Sequence, residues 1–186
     1  LVGAVVIAVG GAFFLKPYQR ARIMTLFSPQ NDRLGISYNL NQAILAIGSG
    51  GLWGQGMGKG PITSLRFLPE QETDFMVAVL GESFGFVGIS VLLTAVMALL
   101  FVLVRRARHI HERYGSLLYL GFGSLIMVES FLNIGMNIGL TPIVVIGLPF
   151  VSYGGSSLMA HMLGIGILES VGVHQRGTVV DSLSTI

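Results

Sequence analysis

The chain has 186 residues, of which 52% are hydrophobic and only 11% charged. A soluble domain carries roughly 25% charged residues, so most of this chain has lipid as its solvent. A net charge of +2 argues against a nucleic-acid footprint, and the lack of cysteine excludes disulfides, thiolate metal sites and a cysteine nucleophile.

A spanning helix needs about 20 mostly apolar residues. Residues 1–15 (LVGAVVIAVGGAFFL) are charge-free and begin at Leu1 with no basic leader and no cleavage site. They read as the truncated end of a span in a longer protein, not as a signal peptide. Residues 16–74 form a long non-spanning segment. Within it 28–35 (SPQNDRLG) read as a turn, and 36–47 (ISYNLNQAILAI) as a short amphipathic helix at the membrane surface. Residues 48–60 (GSGGLWGQGMGKG) hold seven glycines in thirteen positions. Such a stretch suits either close backbone approach to a ligand or a flexible linker, and it lacks the Lys-Ser/Thr ending of a phosphate-binding P-loop.

The remaining spans are expected at 75–104, 114–139 and 155–173. They are joined by a loop at 105–113 and a proline-broken, re-entrant stretch at 140–154, and are followed by a tail at 174–186. The fold class is therefore an all-α polytopic membrane protein. About four transmembrane helices, with short helices in the long extracytoplasmic segment, make one portion of a single multi-pass domain. Four arginines lie in residues 105–113 and none in 140–154. The rule that short cytoplasmic loops carry the positive charge puts 105–113 and the C-terminus in the cytoplasm, with 16–74 and 140–154 outside.

Several polar residues stand against this apolar background. Asp74 directly precedes a span. One reading is a helix cap at the positive helix end; the other is a carboxylate at the outer surface, placed to act as a general base on a lipid-linked substrate. Glu82 lies about two turns into its span. Glu129, Asn133 and Asn137 recur every four residues and so share a face, where polar groups make interhelical hydrogen bonds or line a wet cavity. His161 reads as packing in the last span. Gly81/Gly85 and Gly135/Gly139 have the spacing of close helix contacts. The two prolines and Gly-Gly of 141–157 (TPIVVIGLPFVSYGGSS) require irregular backbone, buried in protein or lining a wet cavity, folded back against the outer segment.

AIGSGGLWGQGMGKG, FLPEQETDF, VLGESFGFVG and GLPFVSYGGSS, in that order, resemble the RodA/FtsW (SEDS) family, bacterial membrane proteins of about ten spans that polymerise peptidoglycan from lipid II. The likeness covers about 17–176, the C-terminal half of such a protein. The endings NIGMNIG and SVGVHQR are closer to RodA than to FtsW. The resemblance implies that glycosyl transfer depends on Asp74. It also implies substrate-binding roles at Glu70, Lys59, Arg66, Arg20, Arg22, Gln42, Ser152 and Ser156. Two departures, Gln71-Glu72 before Thr73 and Ser83 after Glu82, leave Asp74 untouched.

The implied reaction joins one lipid II to an undecaprenyl-pyrophosphate-linked glycan with inversion at the sugar. It needs one base and charge neutralisation of the leaving pyrophosphate, from these cations or from a divalent metal. No cofactor motif is evident. Implied partners are membrane lipid and a class B penicillin-binding protein that cross-links the strands. Two other classes fit some features: a flippase for lipid-linked precursor, which needs ionisable groups near the midplane, and a non-catalytic scaffold.

Overall fold

A computed structural model describes residues 36–65, 72–110 and 112–184. Among the described residues all regular structure is helical: α1 (Ile36–Ser49), α2 (Pro61–Ser64), α3 (Met76–His109), α4 (Arg113–Asn137) and α5 (Gly155–Ser184). Met76–His109, Arg113–Asn137 and Gly155–His174 are long and apolar enough to cross a membrane. The first expected span at 1–15 and the turn at 28–35 lie outside the described residues.

α3 runs through the basic stretch, with Arg106, Arg108 and His109 in its last turn, where cations suit the negative helix end. Only residues 110–112 then connect it to α4, so the two are antiparallel neighbours. α5 packs on α4, and α1 lies across the start of α3. Two apolar clusters hold the bundle at opposite ends. Ala43, Ala46, Phe75 and Ala78 join α1 to the start of α3. Leu103, Ala107, Tyr119 and Leu168 join α3, α4 and α5 at the basic end, where the Tyr119 hydroxyl donates to the Leu168 carbonyl at 2.7 Å. Val91, Met97, Phe101, Phe131 and Leu163 point outward and exposed. That distribution is inverted relative to a water-soluble domain and fits a lipid solvent.

The sequence reads 75–104 as one uninterrupted span; the structure breaks it. Gly85 has φ 65° and ψ −157°, a region open essentially to glycine alone. At the break the regular bonds from Phe86 N–H to Glu82 O and from Val87 N–H to Ser83 O are replaced by four bonds to the glycine-rich loop. Gln55 N–H donates to Glu82 O at 2.9 Å and Gly56 N–H to Ser83 O at 3.0 Å. Phe86 N–H donates to Gly51 O at 2.9 Å and Val87 N–H to Leu52 O at 3.2 Å. The four bonds pair the N–H groups of Phe86 and Val87 and the carbonyls of Glu82 and Ser83, as a buried backbone requires. Within 48–60, Gly50 and Gly54 approach the backbone of α3 and Gly60 its Glu82 side chain, while Gly51, Gly54, Gly56 and Gly58 hold positive φ; the stretch is docked on the chain's own helix and is not a free linker. Gly81 makes the expected close helix contact, against Ile47 of α1, whereas Gly85 is the break itself. Gly135 meets Thr141, and Gly139, at φ 79°, ends α4.

The break also sets depth. From Phe86 to Val104 the helix has nineteen uncharged residues, about 29 Å at 1.5 Å each, which matches a hydrocarbon core of about 30 Å. With Arg105 and Arg106 at one interface, Gly85 and its docked loop fall at the other. α1, α2 and the 72–75 segment gather at that second end.

Candidate active site at the loop end of the bundle

The segment before α3 is held from behind by two buried amides of α4. The Asn133 side chain donates to the Asp74 carbonyl at 3.1 Å and to the Ile146 carbonyl at 2.7 Å. The Asn137 side chain donates to the same Asp74 carbonyl at 3.2 Å and to Asn133 O at 2.8 Å, while its Oδ1 accepts from Ala78 N–H at 3.2 Å. Both asparagines are fully buried. The helical spacing that puts them on one face thus makes them a clamp joining α4, the entrance of α3 and the 141–157 stretch. That stretch does fold back as expected: Tyr153 N–H donates to Glu72 O at 2.8 Å, and Gly147 lies beside Thr73 O.

Asp74 is buried, with 6% of its surface exposed. The N-cap position of α3 falls one residue later, on Phe75, which has no side-chain cap. The first-turn N–H of Ala78 is met by Asn137 instead of a residue preceding the helix.

Glu82 is 1% exposed and fully occupied. Its Oε1 accepts from Ile62 N–H at 2.9 Å, and its Oε2 accepts from Thr63 N–H at 2.9 Å and from the Thr63 hydroxyl. α2 starts at Pro61 after Gly60 and has no cap of its own, so Glu82 caps it from α3. Free N–H groups at a helix start favour a carboxylate. Glu82 therefore fixes the loop and is not placed to act as a base.

A cavity of about 600 Å³ opens between these parts. Thr63, Glu72, Met76, Val79, the run Phe150–Gly155 and Leu158 line it. Its far wall is a tight turn: Val151 and Ser152 N–H donate to Leu148 O at 3.2 and 3.0 Å, and Leu148 N–H donates to the Ser152 hydroxyl at 2.7 Å. Within that turn Phe150 has φ 63°, a conformation that costs a non-glycine residue of order 1–3 kcal/mol and persists only where its surroundings impose it. His161 lies against it, ring centroids 5.2 Å apart. The imidazole is fixed at both nitrogens, Nε2 to Glu129 at 2.8 Å and Nδ1 to the Ser157 carbonyl at 2.7 Å. His161 is thus more than packing: it pairs with the one acid of α4's polar face.

The structure brings together only part of the site expected from sequence. Ser152 and Glu72 line the cavity; Asp74 is buried and stands in the chain between the lining residues Glu72 and Met76. Lys59 is exposed at the end of the glycine-rich loop, four residues before Thr63. Gln42 is half-buried on α1, and Ser156 is exposed at the start of α5, outside the lining. Arg20, Arg22, Arg66 and Glu70 lie outside the described residues. Sequence reasoning passed over Glu72 as a departure from the family pattern, and it passed over Phe150. Among the described residues no group of three His, Asp or Glu is arranged to hold a metal ion.

Three membrane-length helices with a polar, cavity-bearing site at one end define a multi-pass α-helical membrane protein. The chain belongs to the FtsW/RodA/SpoVE family, whose model, described as "Cell cycle protein", matches residues 1–177. It is 44% identical over 168 residues to the peptidoglycan glycosyltransferase MrdB of Escherichia coli K12, covering 88% of this chain and 44% of that protein. It is 42% identical to a probable peptidoglycan glycosyltransferase FtsW of Acinetobacter baylyi, covering 86% and 40%. It is 38% identical to the peptidoglycan glycosyltransferase RodA of Treponema pallidum, covering 89% and 38%. A chain of the solved structure "Structural coordination of polymerization and crosslinking by a peptidoglycan synthase complex" superimposes with a TM-score of 0.72 at 30% identity, covering 94% of this chain and 48% of that one. The chain thus spans less than half the length of these relatives.

Proposed function

We propose that the protein containing this chain is a peptidoglycan glycosyltransferase of the bacterial cytoplasmic membrane. It polymerises lipid II at the outer face, in the elongation of rod-shaped cells, beside a class B penicillin-binding protein. The observation that carries this reading is the double asparagine clamp on Asp74, which fixes the backbone of this family-motif carboxylate between the cavity-lining residues Glu72 and Met76. A base held by buried partners meets a substrate hydroxyl without reorganisation. Asp74 takes the proton of the attacking sugar hydroxyl as the new glycosidic bond forms and the bond to undecaprenyl pyrophosphate breaks. Lys59, with Arg20, Arg22, Arg66 or a divalent ion bound to the phosphates, neutralises the leaving group. Glu72 and Ser152 offer polar contacts to sugar in an otherwise apolar lining that suits the lipid-borne part.

The flippase reading requires ionisable groups near the midplane. Glu82 sits at the loop interface, spent on α2. His161 lies six residues into α5, about 9 Å from the same end. Both positions favour chemistry at one surface over passage through the core.

The deciding experiment is lipid II polymerisation by the purified full-length protein with its transpeptidase partner. Asp74→Asn keeps the backbone that the clamp holds and removes the basic oxygen, and a loss of at least about 10²-fold is expected for a general base. Glycan output from Asp74→Asn within tenfold of wild type overturns the assignment.

A further inference from the structure

Glu129 and His161 are the two ionisable side chains that α4 and α5 bring face to face inside their membrane-length segments, 2.8 Å apart. The Ser157 carbonyl can only accept, so Nδ1 of His161 carries a hydrogen. A further proton lies between Nε2 and the Glu129 carboxyl, or that contact is repulsive. The ring is thereby locked in place, with Phe122 at its edge, centroids 6.4 Å apart, and Phe150 leaning on it. Phe150 is at once a cavity-lining residue and the residue in the left-handed conformation. Three residues further on, the Tyr153 N–H holds the carbonyl of Glu72. A continuous path of contacts therefore runs from Glu129 through His161 and Phe150 to the wall that faces Glu72.

We propose that Glu129 and His161 are a positioning pair for the cavity. They brace Phe150 in its strained conformation and so set the shape of the 150–155 wall that substrate meets. The substrate named here, lipid II, rests on the glycosyltransferase reading; the bracing itself does not. The hydrogen-bond inventory separates bracing from a role for charge or proton movement. Glu129→Gln can donate an amide hydrogen to a bare Nε2 while Nδ1–H stays on Ser157, so the ring remains fixed. Glu129→Ala leaves Nε2 without that partner. His161→Phe keeps the bulk of a ring and loses both tethers.

The test uses the full-length protein with its partner in detergent, carrying 4-fluorophenylalanine at position 150 and read by fluorine NMR. One common resonance is expected for wild type and Glu129→Gln, and a shifted or split one for Glu129→Ala and His161→Phe. In the same preparations, with unmodified Phe150, the KM for lipid II should rise at least tenfold in Glu129→Ala and His161→Phe, with kcat within threefold. Glu129→Gln should keep KM within threefold of wild type. A merely structural role would lower the amount of active protein and leave KM alone. An unchanged resonance in both disruptive variants overturns the proposal, as does a Glu129→Gln that behaves like Glu129→Ala. Wild-type protein that makes no glycan overturns the glycosyltransferase reading instead, and the fluorine signal still decides the bracing.

Discussion

Gly85 and Gly54 pack backbone to backbone: a Cβ on Gly85 would overlap the nitrogen of Gly54, and one on Gly54 would overlap the carbonyl of Ser83. Phe86 and Val87 give up their helical acceptors at this contact, and four bonds are made with the loop. The glycine-rich stretch therefore acts as a splice in α3 and anchors the loop that carries Lys59 and α2. Rigidity of that loop comes from backbone geometry, with few side chains involved.

Gly85→Ala is expected to destabilise the protein by about 3 kcal/mol or more, because it combines a forbidden backbone conformation with a backbone overlap that no side-chain movement relieves. Gly48 has open space around its Cβ position and sits in α1. Gly48→Ala should be neutral or stabilising by up to about 1 kcal/mol. Thermal unfolding of the full-length protein in detergent compares the two, and equal melting temperatures would remove the splice from the account.

Glu82 should prove structural. Glu82→Ala leaves the N–H groups of Ile62 and Thr63 and the Thr63 hydroxyl without their acceptor. The expected result is faster amide hydrogen exchange across Ile62–Leu65, by at least tenfold. Glu82→Gln presents a donor where one acceptor stood, so it should fall between wild type and Glu82→Ala. Slow exchange retained in both variants would show that α2 is held by something else.

Asn137→Leu tests the clamp. It removes the acceptor of Ala78 N–H and one of two donors to the Asp74 carbonyl. An unsatisfied buried group costs about 1–3 kcal/mol, so the protein should still reach the membrane with a lower melting temperature. Polymerisation should fall by about tenfold to a hundredfold, since misplacing a base by about an ångström costs on that order. Full activity with unchanged stability would mean that Asn133 alone positions Asp74.

Much of this was legible in the sequence. The apolar runs gave α3, α4 and α5, and the four-residue spacing of Glu129, Asn133 and Asn137 gave their common face. The break at Gly85 was not, because VLGESFGFVGIS has no proline or charge cluster to interrupt a helix, and the groups that repair it lie some thirty residues upstream. A signal existed in the pairing of a glycine-dense loop with a glycine-dotted helix start. The short helix at Pro61 was not read from the sequence either, although a proline after Gly60 suits a helix start and the lack of a local cap leaves room for a distant acceptor such as Glu82. The Glu129–His161 pair was missed, His161 being read as packing: it obeys the rule that charges within spans pair with one another, but the register of α4 against α5 is a tertiary property that spacing along one chain does not encode.

Orientation follows from the separation of charge along the bundle. Arg105, Arg106, Arg108 and Arg113 crowd one end, while Glu72, Asp74, Glu82 and the docked loop occupy the other. Short arginine-rich connections stay cytoplasmic, so the cavity end should face outward. Labelling with a membrane-impermeant maleimide in intact spheroplasts tests this. The cysteine is best placed at Met57, which is 77% exposed, because the neighbouring Gly56 has φ 95° and binds Ser83 through its N–H, so a side chain there would strain the splice. Met57→Cys should label from outside, and His109→Cys, exposed in the last turn of α3, only after permeabilisation. The reverse pattern would put the cavity in the cytoplasm, where the outer-face polymerisation proposed here could not occur.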